Sequence, residues 1–570
     1  MATSVWEPDI ATAPTPGCSG KTQMARVLRR GQLTRNYLMM QPKPVRSAHP
    51  ERSKSRTERT DLTSTAAQCP AHRDNKVAVA PRPWNTGRRA VIASLKDDPF
   101  WPTRKPLRAA FSLATGWGRD RPIPPGPIGL PFIGSAIPMA RNPYKFLQDC
   151  HRRYGDVYRV PLPIHPLVLA NHPDLVGEFM ENTELKYSMS APIQGRRVQG
   201  AVTSVGCPVQ LLEGQALRDR RRKLMPMFGK KHLAVVSDKF VEVFTDRIDR
   251  WLAVAGTGQE VNLQAELPKV VLPAFMYAMF SAKLSDDEVL HADTATRSVM
   301  RAVASGLFLA TPPSILPWRG RENLAISGVH LMQTIRRIIR ERRANPTDDA
   351  DLLNILLAAR NDNSNPLTEI DVYSEIMSAI GGGYETIVAS MSWTLSLLLQ
   401  HPEHLERLYD EISVLDGNEP TPEDLPKLPW ARACFDEGQR LQGAPINPRY
   451  AMEDTELGGY PIPKYTLVAS SLYVVHRDPR WWGENAEVYD PMQFFDQDRV
   501  NARPRLAFQA FGAGPHHCLG TGMAYMMAQY LLTIIFQRYR LHLRPGWQPQ
   551  QFFSLSTLVK GGVPATITKA

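Results

Sequence analysis

A chain that carries Phe-Gly-Ala-Gly-Pro-His-His-Cys-Leu-Gly over residues 511–520 must present one thiol, Cys518, in a glycine loop that opens a helix. Met, Leu and Ile recur at helical spacing over 519–538. Cys518 therefore sits where free N–H groups and the positive dipole end favour a thiolate. Gly514 and Gly520 let amide donors approach the sulfur, and a side chain at either position would obstruct them. Phe511 can cover the cysteine with a ring that excludes water, while His516 can hydrogen-bond a carboxylate. A soft anionic ligand held in this way suits a flat metal cofactor. Three other readings compete: a buried structural cysteine beside a turn, a zinc site from His516, His517 and Cys518, or a phosphate loop. Zinc wants a second paired cluster, which the chain lacks, and a phosphate loop wants a Gly-Lys-Ser/Thr ending.

A second constellation lies at Ala-Ile-Gly-Gly-Gly-Tyr-Glu-Thr over 379–386, inside a long apolar helical pattern. Each glycine there costs about 1 kcal/mol against alanine. The Thr386 hydroxyl can bond the carbonyl four residues back, at Gly382, and open the helix into a groove. Glu385 and Thr386 then form a route for protons. The alternative is a glycine loop between two short helices.

With both segments in view, the chain resembles the cytochrome P-450 superfamily. Phe511, Gly514, His516, Cys518 and Gly520 match its haem-binding loop, and Gly382, Gly383, Glu385 and Thr386 match its oxygen-activation motif. The resemblance implies a mainly α fold with small β-sheets, with haem b buried between a long distal helix and the proximal helix after the cysteine. It implies Cys518 as the iron ligand, whose thiolate pushes electron density toward O–O cleavage. It also implies a monooxygenase that inserts one atom of dioxygen into an apolar organic substrate. The propionate partners implied are Arg449, His516 and Arg221. Glu437 and Arg440, three apart on one helical face, become structural support for the haem pocket. Two positions depart from the pattern: Gln493 stands where arginine is usual, and Leu217 where Trp or His is common.

Electrons are expected from a ferredoxin or a flavoprotein reductase, since no flavin or nicotinamide fingerprint occurs in the sequence. Arg218, Arg220, Arg222, Lys223, Lys230 and Lys231 form a basic run, which is either a solvated face or the docking patch for an acidic donor. Rival readings are a haem-binding sensor without turnover and a peroxide-driven haem-thiolate enzyme.

Charge divides the chain. Residues 1–121 hold 22 Lys and Arg against 9 Asp and Glu, whereas 122–570 hold 46 against 47. The first stretch is rich in Pro, Ser, Thr and Arg without hydrophobic period and reads as a disordered basic extension. Its 24–40 segment loosely suits organelle targeting, and a nucleic-acid arm is the other alternative, although no nucleic acid is expected as partner. A Pro-Gly entry at 122–131 starts one large haem-thiolate domain, 122–570. Helical patterns cover 211–252, 285–305, 322–345, 367–416, 430–442 and 519–540, with strands near 157–170, 446–470 and 557–568. No run reaches the roughly 18 to 20 apolar residues of a membrane span. Six scattered cysteines fit a reducing compartment, so a cytoplasmic monomer is expected. The proline-broken loop 306–318 reads as a cover over an apolar pocket, with peripheral membrane contact as the alternative. Segments 188–207, 304–312, 380–388, 444–448 and 554–558 are candidate pocket walls. Their Val, Leu, Phe and Ile suit a lipid, sterol, terpenoid or aromatic guest.

Overall fold

The computed structural model describes residues 123–570 except 131–132, 163–166, 182–185, 190–207, 309–320, 360–366, 445 and 555. The basic extension lies outside the described residues, as do most of 306–318 and 188–207. Apolar period and prolines account for most helix boundaries. The pattern at 211–252 is two main helices, α1 (Gly214–Leu224) and α2 (Lys230–Asp249), split by the 3-10 turn Met225–Phe228 that contains Pro226. A proline removes a backbone donor and ends the ladder. The pattern at 367–416 is three helices, Glu369–Gly383, Glu385–Leu398 and Pro402–Ser413, the last opening on a proline whose missing N–H costs nothing there.

One long helix has no counterpart in the sequence reading: α3 (Leu263–Phe280), capped by Asn262, which accepts from the Gln264 amide. Apart from Gln264, Glu266 and Lys269 in its first half it is apolar, and it contains Pro268 and Pro273, so neither period nor propensity marks it. Packing compensates, because nearly the whole helix is buried. Next come α4 (Asp286–Phe308) and α5 (Arg321–Ala344), packed on each other. A capping box between Thr368 and Asp371 starts α6 (Glu369–Gly383), and α7 (Glu385–Leu398) continues it after Tyr384. The core is completed by α8 (Pro429–Gln442) and α9 (Thr521–Arg538). Helix α7 packs against α3 and α8, and α9 against α2 and α8.

The β structure is small. Strands β1 (Val157–Val160), β2 (Leu167–Ala170), β3 (Tyr187–Ser188), β4 (Asn447–Ala451) and β5 (Leu467–Ser470) form a sheet in the order β1-β2-β5-β4-β3. Its one parallel pair sets Leu167 opposite Leu467, and both strands of that pair are buried throughout. That burial explains their unbroken apolar sequences. A short hairpin, β6 (Gln551–Phe552) and β7 (Leu558–Val559), turns at the edge of the site. Among the described residues no helix is long and apolar enough to cross a membrane.

Candidate haem site

Helices α6 and α7 on one side and the loop leading into α9 on the other enclose a cavity of about 420 Å³. Its lining includes Gly382, Thr386 and Ile387 opposite Phe511, Cys518 and Met523. The two motifs, 125 residues or more apart in sequence, thus face one space.

Local hydrogen bonds shape the cysteine loop. The Cys518 amide donates to the Phe511 carbonyl at 3.0 Å and the His517 amide to the Gly514 carbonyl at 3.0 Å. Helix α9 starts at Thr521, three residues after the cysteine, and the Thr521 hydroxyl donates back to the Cys518 carbonyl at 3.0 Å. The sulfur opens onto the cavity while protein surrounds it elsewhere. Burial pushes the Cys518 thiol up, against the Gly520 amide, the Thr521 hydroxyl and the Arg221 charge. The Gly520 amide and the Thr521 hydroxyl, both at the start of α9, act in the sense expected of the helix end, against the larger effect of burial.

The two glycines of the loop divide: the Gly520 amide approaches the sulfur, whereas Gly514 meets a neighbouring helix. Gly514 has φ +66°, and a Cβ there would lie 2.2 Å from the Met180 carbonyl oxygen. Its smallness seats the loop on the end of the helix Pro173–Met180 and does not serve the sulfur. A Cβ at Gly520 would meet Met523 at 3.6 Å and the Cys518 Sγ at 3.9 Å, ordinary contacts. Phe511 packs on Tyr525 with ring centroids 5.2 Å apart.

Of the three candidate propionate partners, Arg221 and His516 line the cavity, whereas Arg449 is not among its lining residues and is linked to them through the charge of Glu213. Arg221 on α1 lines the cavity, and burial lowers its guanidinium while Cys518 opposes that shift. Arg449 on β4 is buried and donates through Nη1 to the Asn447 side chain at 3.1 Å and the Pro448 carbonyl at 2.8 Å. Its Nε is buried without a partner, and desolvation brings the group down to about 10 despite nearby Glu213. His516 Nε2 lies 2.9 Å from Glu213 Oε2. Glu213, missed in the sequence, also accepts from the Ser188 hydroxyl at 2.8 Å and the Met189 amide at 2.9 Å. Leu217 adds an apolar wall one turn before Arg221. A thiol and two donor side chains, Cys518, Arg221 and His516, lining an apolar space, with the orphaned donor of buried Arg449 near Glu213, fit a thiolate-ligated haem with its carboxylates.

On the opposite side the Thr386 hydroxyl donates to the Gly382 carbonyl at 2.7 Å. The three glycines divide their work. A Cβ on Gly383 would meet the Phe275 ring at 2.3 Å and one on Gly381 the Met300 Cε at 2.9 Å, whereas Gly382 has only Gln210 at 3.9 Å. Close packing against α3 thus explains Gly383, whereas Gly381 meets only the flexible end of a methionine on α4 and Gly382 meets open space. Glu385 is buried and, unlike Thr386, is not among the cavity-lining residues. Desolvation lifts its carboxyl to about 7, opposed by the Ser556 hydroxyl and Arg297.

Below the site, Glu437 and Arg440 form a fully buried two-pronged pair, with both N–O distances 2.6 Å. Arg440 also donates to the His476 and Ala486 carbonyls, each at 2.6 Å. Gln493 donates to the Trp482 carbonyl at 3.1 Å, and Arg503 donates to the Gln493 carbonyl while lying 4.2 Å above the Trp482 ring. Burial lowers Arg503 to about 10, and Glu437 is the first charge that opposes this. The cation that Gln493 lacks thus arrives from Arg503, a residue whose sequence position gave no hint of it. Arg220 leaves the basic run: it turns inward to pair with buried Glu375, while Arg218, Arg222, Lys223, Lys230 and Lys231 are exposed.

Residues 124–568 match the family model described as Cytochrome P450. The chain is 27% identical over 453 residues to cyclooctat-9-en-7-ol 5-monooxygenase of Streptomyces melanosporofaciens, covering 78% of this chain and 94% of that protein. It is 27% identical over 436 residues to pentalenene oxygenase of Streptomyces avermitilis, covering 74% of this chain and 91% of that protein. Its fold matches the retinoic acid bound cyanobacterial CYP120A1 with a TM-score of 0.68 at 23% identity, covering 79% of this chain and 100% of that one.

Proposed function

Because this chain belongs to the cytochrome P450 family, a group of haem-thiolate monooxygenases, we propose that Cys518 ligates the iron of haem b and that the chain oxygenates an apolar, terpenoid-like substrate. One observation carries the reading: Cys518 and the Gly382–Thr386 segment line the same cavity. Bound there, the haem supplies the activation of dioxygen. Arg449, Arg221 and His516 hold its carboxylates, and Arg449 brings a buried donor still without an acceptor. Phe511, backed by Tyr525, keeps water from the sulfur. Thr386 directs its hydrogen to Gly382 and offers its lone pairs to the groove. Glu385, held near neutrality, takes up and releases protons at physiological pH. Residues 122–570 act as one domain in this reading, with 1–121 a separate basic extension, and the enzyme works in the cytoplasm. The names of the two Streptomyces relatives favour a terpenoid among the apolar guests.

Reduction comes from a separate ferredoxin or flavoprotein that docks on the exposed Arg and Lys side chains of α1 and α2. The test is the absorption of the reduced protein with carbon monoxide. A thiolate-type band is expected, and Cys518→His should convert it to the histidine type. A histidine-type band in the unaltered protein would overturn the assignment.

A further inference from the structure

Glu385 is the acid of the site, yet no part of it lines the cavity, and among the described residues no hydrogen bond joins it to Thr386. The Thr386 hydrogen is already committed to the Gly382 carbonyl. A different hydroxyl reaches both places. Ser556, in the turn between β6 and β7, donates to Glu385 Oε2 and also lines the cavity. The residue after Ser556 is firmly held. The carbonyl of that residue, Thr557, accepts from Trp393 Nε1 at 3.1 Å and from Gln442 at 2.8 Å, and the Thr557 hydroxyl bonds the Gly443 carbonyl at 3.0 Å. Glu385 Oε1, the other carboxyl oxygen, is buried without a partner.

We propose that Ser556 is the proton-relay hydroxyl through which Glu385 communicates with the cavity. The transfer balances. With Glu385 protonated, its Oε2–H donates to Ser556 Oγ, and the Ser556 hydrogen is free to pass to an acceptor in the cavity. As that hydrogen leaves, the carboxyl proton moves onto Ser556 Oγ. Glu385 is left a carboxylate that accepts from the hydroxyl, the arrangement the structure holds. A solvent proton then restores the carboxyl. The charged and titratable groups of α4 that face Glu385 are Arg297 and Asp293, which are 25% and 18% exposed and paired at 2.8 Å. Neighbouring Tyr384 donates to Asp293 at 3.2 Å, and α3 contributes the Gln264 carbonyl, 3.5 Å from Arg297.

The inference rests on the reading of Glu385 as the proton-handling acid, and the test separates the two. Its first readout needs no turnover: the infrared carbonyl stretch of the protonated carboxyl, titrated from about pH 5 to about pH 9 and assigned by its absence in Glu385→Gln. In Ser556→Ala the band should shift in frequency and persist to higher pH, because the hydroxyl that favours the charged form is gone. The second readout is dioxygen uptake by the full-length holoprotein, reduced by photoreduced deazaflavin, in H2O and D2O. Glu385→Gln should slow uptake by about 10²-fold, the effect of one positioned acid, and Ser556→Ala by at least about tenfold. Ser556→Thr should restore the rate, and adding Ser556→Ala to Glu385→Gln should slow it no further. If Ser556→Ala leaves the band and the rate unchanged, or if the two effects multiply, the relay is wrong while the acid stands. If Glu385→Gln leaves uptake unchanged, the reading of Glu385 falls, and the relay with it.

Discussion

Two carboxyls, Glu385 and Asp436, are both raised by burial to about 7, from usual values of 4.5 and 3.8. The Tyr525 hydroxyl donates to Asp436 at 2.9 Å. Between the usual and the raised value the folded chain keeps a proton that the unfolded chain releases. Each group's contribution therefore favours folding most at low pH and weakens as pH rises toward about 7. Glu385→Gln and Asp436→Asn should then gain thermal stability relative to the unaltered protein as pH is raised from about 5 to about 8, and calorimetry at several pH values reads the difference. A difference that stays flat would show that burial does not hold these protons. In the Glu437–Arg440 pair each partner is fully buried and bonded to the other. Arg440→Ala leaves Glu437 charged and buried, so urea unfolding should register a loss of about 3–5 kcal/mol. The pair was legible from its spacing of three residues. Arg503 was not, because only folding brings it beside Gln493 and the Trp482 ring.

Helix α6 shows how one run of glycines answers several neighbours at once. Gly383→Ala places a methyl group into the Phe275 ring and should cost about 1–3 kcal/mol in chemical denaturation. Gly382→Ala meets nothing closer than 3.9 Å in the fold and exchanges a poor helix former for the best one. It should leave unfolding stability unchanged or raise it by up to about 1 kcal/mol while narrowing the groove beside Thr386, an effect read as weaker binding of carbon monoxide to the reduced holoprotein. Equal destabilisation by both substitutions would overturn this division of roles. The sequence announced that these glycines had a purpose. The partner that explains Gly383 lies on α3, a helix whose largely apolar sequence and internal prolines hid it from periodicity.

The exposed cations Arg218, Arg222, Lys223, Lys230 and Lys231 flank an exposed Met225 on the turn between α1 and α2. That turn abuts α9, where Gly522 comes within 3.8 Å of the Phe228 carbonyl oxygen, measured from an added Cβ. A basic rim around an apolar spot, next to the helix that follows Cys518, suits an acidic electron donor. Reversing Arg218, Arg222 and Lys230 to Glu should slow reduction by an acidic ferredoxin in stopped-flow mixing and flatten its salt dependence, with thermal stability preserved. Reduction at the original rate would remove this face as the docking site. Arg220, equally basic in sequence, is outside the patch because its side chain turns toward Glu375.

By itself the sequence determined which groups the two motifs offer. The thiol, the glycine placement and the adjacent acid and hydroxyl depend on spacings of a few residues, which a local segment states in full. It also marked most helices, because one-sided burial leaves a period. Only the tertiary structure decided how those residues act. The Cys518 thiol is pushed up by burial despite the nearby helix end, Gly514 serves the contact with Met180, and Glu385 turns away from Thr386 toward Ser556. Each of these depends on groups brought close from distant parts of the chain. Desolvation and close packing are properties of that enclosure, and no local window of sequence contains them.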